Sequence, residues 1–273
     1  MAGEKIYELR DVAYSYLGRF KALDGVSLDI NKGERIALLG ANGSGKSTLL
    51  LILAGLAFPG EGSIRFFGES LEEKSFNNIR FQRNFRTKVG IVFQNSDIQL
   101  FNSSVEDEML FGLTQLDLPK KEMDRRIEKY TALLNIVHLK DRHPQHLSMG
   151  EKKKVAIAAT LVMEPEIILL DEPSAGLDPR TSRALIDMIL ELGMKGYTII
   201  TSTQDIHIVQ EISDRAIVLS EDKKIVMDGN VSSVLDDRLF LEKHNLVHIH
   251  VHEHGGRAHV HPHEHPSHEH PHS

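Results

Sequence analysis

The sequence predicts an α/β fold built on a mainly parallel sheet, and two observations carry that expectation. Apolar strand-like segments alternate with helical ones from residue 35 to residue 219. Two of these segments, residues 35–39 and 166–170, run continuously apolar after one charged residue, the kind of strand buried on both faces of a sheet. Composition agrees: among 273 residues, 41% are apolar and 26% charged, ordinary for a globular chain with a real core. The longest apolar run, Leu49 to Phe58, is about half of what a bilayer-spanning helix needs. The charged start MAGEKIYELRDV lacks an apolar signal core, so secretion is not expected. There is no cysteine, which excludes disulfides and thiolate metal sites and fits a reducing compartment. A net charge of -7 argues against general nucleic-acid binding, which favours basic chains.

Taken in order, residues 5–38 read as short β segments joined by turns. Val26, Leu28 and Ile30 alternate with Ser27 and Asp29, the pattern of a half-buried strand. Residues 31–34 form a turn, and 35–39 a buried strand. A glycine-rich loop, Gly40 to Gly45, leads into a helix from Lys46 to about Ala54, closed by Gly55. Residues 61–68 read as an edge strand, 89–94 as a strand with a polar end, and 104–165 as mostly helical, punctuated by Pro119, Pro144 and Pro165. After the strand 166–170 come a helix at 181–194, a strand at 197–201, a helix at 205–213, and closing strands at 216–219 and 224–227. No internal repeat is visible.

Three motifs bear chemistry. Gly40-Ala41-Asn42-Gly43-Ser44-Gly45-Lys46-Ser47, followed by Thr48, matches G-x-x-x-x-G-K-[ST] between a strand and a helix. In that setting backbone N–H groups wrap a phosphate chain, the lysine reaches the β- and γ-phosphates, and the first hydroxyl sits on Mg²⁺. Second, strand 166–170 ends in Asp171-Glu172, which holds carboxylates at the sheet's carboxyl edge, where open α/β sheets bind ligands. Asp171 is the expected Mg²⁺ partner and Glu172 the candidate to polarise an attacking water. Third, Leu147-Ser148-Met149-Gly150-Glu151 opens an amphipathic helix continuing from Lys152 to Met163. A serine and a glycine at a helix start make an anion site from N–H groups and the helix dipole.

This third motif resembles the LSGGQ signature of ATP-binding-cassette (ABC) ATPases, with Met149 and Glu151 replacing glycine and glutamine. The resemblance spans about residues 5–230. It implies a P-loop NTPase core with an N-terminal antiparallel β subdomain and a helical subdomain at about 100–165, all within an ATPase domain of residues 1–246 that includes a C-terminal extension at 231–246. It also implies further roles. Gln94 resembles the Q-loop glutamine that touches Mg²⁺ and senses a membrane partner, and Ser174–Asp178 resembles the D-loop. Tyr16 matches the aromatic that stacks on adenine, with Tyr14 a lesser candidate. The family's switch histidine falls at Gln204, which can donate a hydrogen bond to a γ-phosphate but cannot carry a proton; His207 lies on the following helix. The implied ligands are ATP, with Ser148, Gly150 and Glu151 facing the nucleotide of a second copy, and Mg²⁺ held through Ser47, Gln94 and Asp171. Implied partners are a second copy of the chain in a head-to-tail homodimer, a related ATPase being the other option, and no nucleic acid.

The stretch Gly90 to Phe101 (GIVFQNSDIQLF) is similar to the Q-loop region of energy-coupling-factor ATPases, especially those of cobalt and nickel uptake. This implies contact with integral-membrane transport subunits near Gln94–Phe101, at the cytoplasmic face of the cell membrane. The alternatives are an importer ATPase for a vitamin or amino acid, or a soluble ABC ATPase outside transport; the latter commonly carries insertions, duplication or basic patches, none visible here. The end of the chain is a different material. Of 16 histidines, 12 lie between His244 and His272. His248, His250, His252 and His254 alternate, as do His259, His261, His263 and His265. Alternation in an extended chain puts imidazoles on one side, and neutral imidazole binds Ni²⁺, Co²⁺ or Zn²⁺. Residues 247–273 are therefore expected to be a flexible His-rich tail open to metal.

Overall fold

The computed structural model describes residues 3–246, and the backbone alone of 249–254 and 257–262. Two sheets organise the chain. The first is antiparallel, in the order β2-β1-β4-β5, from β1 (Lys5–Tyr16), β2 (Phe20–Asn31), β4 (Glu61–Phe66) and β5 (Glu69–Ser70). The short segments expected over 5–38 are instead two twelve-residue strands. Their pairing is broken by register shifts between Leu9 and Val12 and between Val12 and Tyr14, with Asp11 in the left-handed region (φ 49). Such bulges interrupt the alternation that would announce a long strand. Nor is β4 an edge strand, since it pairs with β1 on one side and the two-residue β5 on the other.

The second sheet has six strands, β10-β9-β3-β8-β7-β6: β3 (Arg35–Leu39), β6 (Val89–Val92), β7 (Ile167–Asp171), β8 (Thr198–Ser202), β9 (Arg215–Leu219) and β10 (Ile225–Asn230). Every pairing is parallel except β9 with β10. The apolar faces of both sheets close over helix α1 (Lys46–Leu53) in one core containing Tyr7, Leu28, Ile36, Leu50, Phe66, Leu169 and Ile217.

The expected helical stretch resolves into α3 (Val105–Leu113), α4 (Lys120–Leu133) and α5 (Met149–Leu161). Val105, Met109, Tyr130, Val155 and Ala158 share a second core with Ile168 and Leu170 of β7, which fixes these helices to the sheet. Helix α5 starts at Met149 with Ser148 as its cap, as the serine and glycine at its opening predict, and ends at Leu161. Helix α2 (Ile79–Lys88) was not legible: its arginines mask an anchor in which Phe85 packs against Phe66 (4.7 Å) and Phe76 (5.2 Å). Helix α6 (Pro179–Met194) starts two residues early because Asp178 caps it and Pro179 fits the first turn. Helix α7 (Ile206–Ile212) follows β8. In the extension, α8 (Val231–Asp236) and α9 (Arg238–Lys243) follow β10, and Val231 and Val234 pack on Ala37, Leu39, Ala216 and Val218. Within the tail, β11 (Ile249–His254) and β12 (Arg257–Pro262) pair antiparallel. The side chains of all eight candidate tail histidines lie outside the described residues.

Candidate functional site

Strands β3, β7 and β8 lie side by side and parallel, so their carboxyl ends deliver the loop after β3, the acids ending β7 and the polar end of β8 to one place. The loop cannot tolerate side chains at two of its glycines. A Cβ on Gly40 (φ 152) would lie 2.4 Å from Ser44 Oγ and 2.5 Å from the Leu219 carbonyl, and one on Gly45 (φ 108) 2.3 Å from the Ala22 carbonyl. Lys46, 6% exposed, folds back so that Nζ donates to the carbonyls of Gly40 (2.7 Å) and Ala41 (3.2 Å). Burial lowers its pKa, with Glu172 and Asp171 opposing that shift.

Asp171 is buried and pairs in register with Ser202 on β8. Its Oδ1 accepts from Ser47 Oγ (3.1 Å) and from Ser202 Oγ. Glu172 turns away from the strand at φ 42, a left-handed conformation that costs a non-glycine residue of order 1–3 kcal/mol. Its N–H is anchored by the Ser202 carbonyl (3.1 Å) and hydroxyl (3.1 Å). The Glu172 carboxylate is mostly buried, 4.0 Å from Lys46 Nζ, and its Oε1 has no hydrogen-bond partner among the described residues. Burial pushes the Glu172 pKa up and Asp171 adds to this, while Lys46 and hydrogen bonding from Gln204 pull it back.

A cleft over this cluster is lined by Tyr16, Asn42, Ser47, Thr48, Gln94, Glu172 and Gln204, among others. Tyr16 is 40% exposed; its hydroxyl lies 3.1 Å from Thr48 Oγ1, and its ring stands edge-on to Tyr14 at 5.0 Å. Tyr14 itself packs into the core. Gln204 donates through Nε2 to Asn42 Oδ1, joining the end of β8 to the loop.

Ser148, Gly150 and Glu151 do not join this cleft. Ser148 and Glu151 close a capping box: the Glu151 carboxylate accepts from Ser148 N–H (2.8 Å) and Ser148 Oγ (2.8 Å). The bonds from Ser148, backbone first, hold the Glu151 pKa down. Met149 borders a second cleft with Gln94, Asp97, Lys153 and Gly176, so Gln94 borders both. Lys153, 2% exposed, donates to the carbonyls of Phe93 (3.1 Å) and Gln94 (2.7 Å). Beside them, Glu108 accepts from the N–H groups of Phe101 and Asn102. This pins the exposed Phe101 ring 5.0 Å from the exposed Phe111.

Sequence reasoning missed Ser202, Lys153 and Lys223, whose Nζ donates to the Gly43 carbonyl (2.6 Å). For Ser202 the signal was present, a polar run T-S-T-Q ending an apolar strand; the two lysines gave none.

Residues 23–175 match the family model described as ABC transporter. The chain belongs to the ABC transporter family. It is 46% identical to a putative ABC transporter ATP-binding protein of Methanosarcina acetivorans, over 92% of both chains. It is 42% identical to the nickel import ATP-binding protein NikO of Rhodobacter capsulatus, over 88% of this chain and 95% of that one. An energy-coupling factor transporter ATP-binding protein, EcfA of Carboxydothermus hydrogenoformans, is 41% identical over 88% of this chain and 86% of its own length. Among solved structures, cbiO1 of Clostridium perfringens, part of the ABC transporter complex cbiONQ, aligns with a TM-score of 0.75 and 36% identity over 89% of this chain and 95% of that one. As a member of this family the chain is an ABC transporter ATPase, using ATP and Mg²⁺ as such ATPases do. Among the described residues no helix is long and apolar enough to cross a membrane.

Proposed function

We propose that this ABC ATPase powers an energy-coupling-factor importer for a transition metal ion, cobalt or nickel, from the cytoplasmic face of the membrane. The observation that carries the ATP-hydrolysing half is the convergence of Lys46, Ser47, Asp171 and Glu172 on one edge. There two buried oxygens, Ser44 Oγ and Glu172 Oε1, lack hydrogen-bond partners among the described residues. A buried polar atom without a hydrogen bond costs about 1–3 kcal/mol, and a bound polyphosphate with its waters would satisfy such atoms. The Ser47 hydroxyl and the Asp171 carboxylate offer the oxygen donors a hard cation prefers, so they would hold Mg²⁺, with Gln94 beside them. Mg²⁺ there would neutralise charge on the phosphates. Glu172, mostly buried and with a free oxygen, would take the proton of the attacking water, and Gln204 would donate to the γ-phosphate. Tyr16 would stack on the adenine. Because Ser148, Gly150 and Glu151 stand outside the cleft, they would complete the site of a second copy, giving a head-to-tail homodimer.

The metal half rests on likeness to NikO and on the tail. The exposed Ile98, Phe101 and Phe111 would seat the membrane subunits. The experiment is ATP-driven uptake of radiolabelled Ni²⁺ and Co²⁺ by vesicles carrying the complex purified from native membranes. Uptake of neither metal, with transport of a vitamin or amino acid instead, would replace the substrate and leave the ATPase reading intact. For the tail, calorimetry of full-length protein against a chain lacking residues 247–273 should show divalent-metal binding only in the former. Binding should be lost below about pH 6, because imidazoles of pKa about 6.5 must be neutral to ligate. Equal metal binding by both chains would remove the tail's role.

A further inference from the structure

Lys223 occupies a place the motifs above do not account for. It lines the nucleotide cleft with Tyr16, Lys46 and Thr48, yet it comes from the turn between β9 and β10, 180 positions from the glycine it touches. That turn is fixed on several sides. Lys223 sits at φ 67, with its N–H on the Ser220 carbonyl (3.0 Å) and its carbonyl accepting from Asp24 N–H (2.9 Å). Lys224 pairs with Asp24 (3.4 Å), and Asn245 donates to Glu221 (2.9 Å). The ammonium is thus delivered to the loop by a braced element.

We propose that Lys223 is a second cation of the nucleotide site, a positioning residue that acts through the phosphate loop on the polyphosphate chain common to ATP and ADP. The proposal rests on the reading of that loop as the ATP site. Two features support it. The loop apex at Gly43 is open on the side where a side chain would stand, since a Cβ there would meet nothing within 4 Å. The Gly43–Ser44 peptide is instead held at both ends, its carbonyl by Lys223 (2.6 Å) and its N–H by the Ala41 carbonyl (3.1 Å). Charge is the second. Lys21 is paired with Asp24 (3.0 Å) and Lys46 faces Glu172 (4.0 Å). Lys223 bonds a neutral carbonyl, and among the described residues no contacting carboxylate cancels its charge. A loop that wraps an anion with N–H groups turns carbonyls outward. An ammonium on such a carbonyl fixes the peptide plane and raises the positive potential of the cradle.

The test is nucleotide binding by the full-length chain, as wild type, Lys223→Met and Lys223→Arg. ATP, ADP and adenosine are each titrated against a fluorescent nucleotide, with thermal unfolding in parallel. Lys223→Met should weaken ATP and ADP alike by roughly tenfold, the effect of one charge-assisted contact, and leave adenosine unchanged. Lys223→Arg should restore affinity to within about threefold. KM for ATP should rise with the affinity loss while turnover at saturation falls by less than about threefold, and the gap should narrow as salt screens the charge. Adenosine weakened as much as ATP, or a lowered melting temperature with unchanged ATP affinity, would overturn the proposal in favour of a turn brace. If wild type and Lys223→Met bind ATP equally, only the role of Lys223 falls; if wild type binds no ATP, the nucleotide reading falls with it.

Discussion

Replacing Glu172 with glutamine separates the two things this carboxylate does. The substitution keeps shape and volume but removes the charge and the basic oxygen. Among the described residues, Glu172 Oε1 is buried without a hydrogen-bond partner, and Lys46 Nζ is 4.0 Å away. A general base contributes about 10²–10⁴ in rate, so phosphate release at saturating Mg·ATP should fall by that factor, roughly 3–5 kcal/mol of transition-state stabilisation. ATP affinity should stay within about threefold, because Lys46 and the loop are untouched. Stability should move the other way. Burial outweighs Lys46 and raises the Glu172 pKa above the ordinary glutamate range. A raised folded-state pKa makes a contribution that is complete below the unfolded pKa and lost as pH rises through the folded value. At pH 7–8 the ionised carboxylate is therefore a burden on the nucleotide-free chain, and Glu172→Gln should melt at or above the wild-type temperature, the difference closing toward pH 4. Stopped phosphate-release assays, nucleotide titration and melting scans across pH 4–8 read all of this. Wild-type hydrolysis in the variant would refute the base assignment; a variant less stable than wild type at pH 8 would refute the electrostatic argument.

Gln204→Ala should slow hydrolysis about 10–100-fold, more than it weakens ATP binding, if a contact of roughly 1.5–3 kcal/mol is lost in the transition state; full activity across ATP concentrations would show that this side chain does not reach the phosphate. Lys153→Met leaves the carbonyls of Phe93 and Gln94 without their buried donor and should lower stability by about 1.5–3 kcal/mol, read as a shifted urea midpoint; an unmoved midpoint would discount that tie. Glu151→Gln removes a carboxylate held ionised by Ser148 and should tighten ATP-driven dimerisation in gel filtration by easing repulsion with polyphosphate. Unchanged or weaker dimerisation would place Glu151 away from the partner's nucleotide.

What the sequence made legible was chemistry confined to one stretch of chain. Gly40 to Ser47 could be read because each fixed position answers a local demand: a left-handed turn, an N–H cradle, a cation at the helix start. Strand β7 could be read because an apolar run ending in acids is the same signal wherever it occurs. What stayed hidden depends on delivery across the fold. Ser202 supports Asp171 only because β7 and β8 pair in parallel register, and no spacing reveals a register. Lys153 looks like one of three consecutive lysines on an exposed helix, and only the packing of α5 against β6 shows it buried. Helix α2 was hidden for the opposite reason: its helical face is made of phenylalanines that pack on other phenylalanines distant in sequence, while its charges read as a loop.

The three departures from the resembled family share one physical feature, an internal partner for each. Met149 reaches over Gly176, where a Cβ would meet its methyl at 2.8 Å. Glu151 occupies the hydroxyl and the N–H of Ser148, and Gln204 is bonded to Asn42. In the nucleotide-free chain these groups, which would face ATP in the proposed dimer, are therefore satisfied by their own protomer. A ligand shifts such an equilibrium only by the difference in its affinity for the two states. ATP must then replace the Gln204–Asn42 bond and draw the Ser148 hydroxyl from Glu151. A side chain that trades one partner for another gains little net energy, as hydrogen bonds exchanged on folding do. The drive toward closure is left to Ser44 Oγ and Glu172 Oε1, which among the described residues have no hydrogen bond to give up, and to the cations behind the loop.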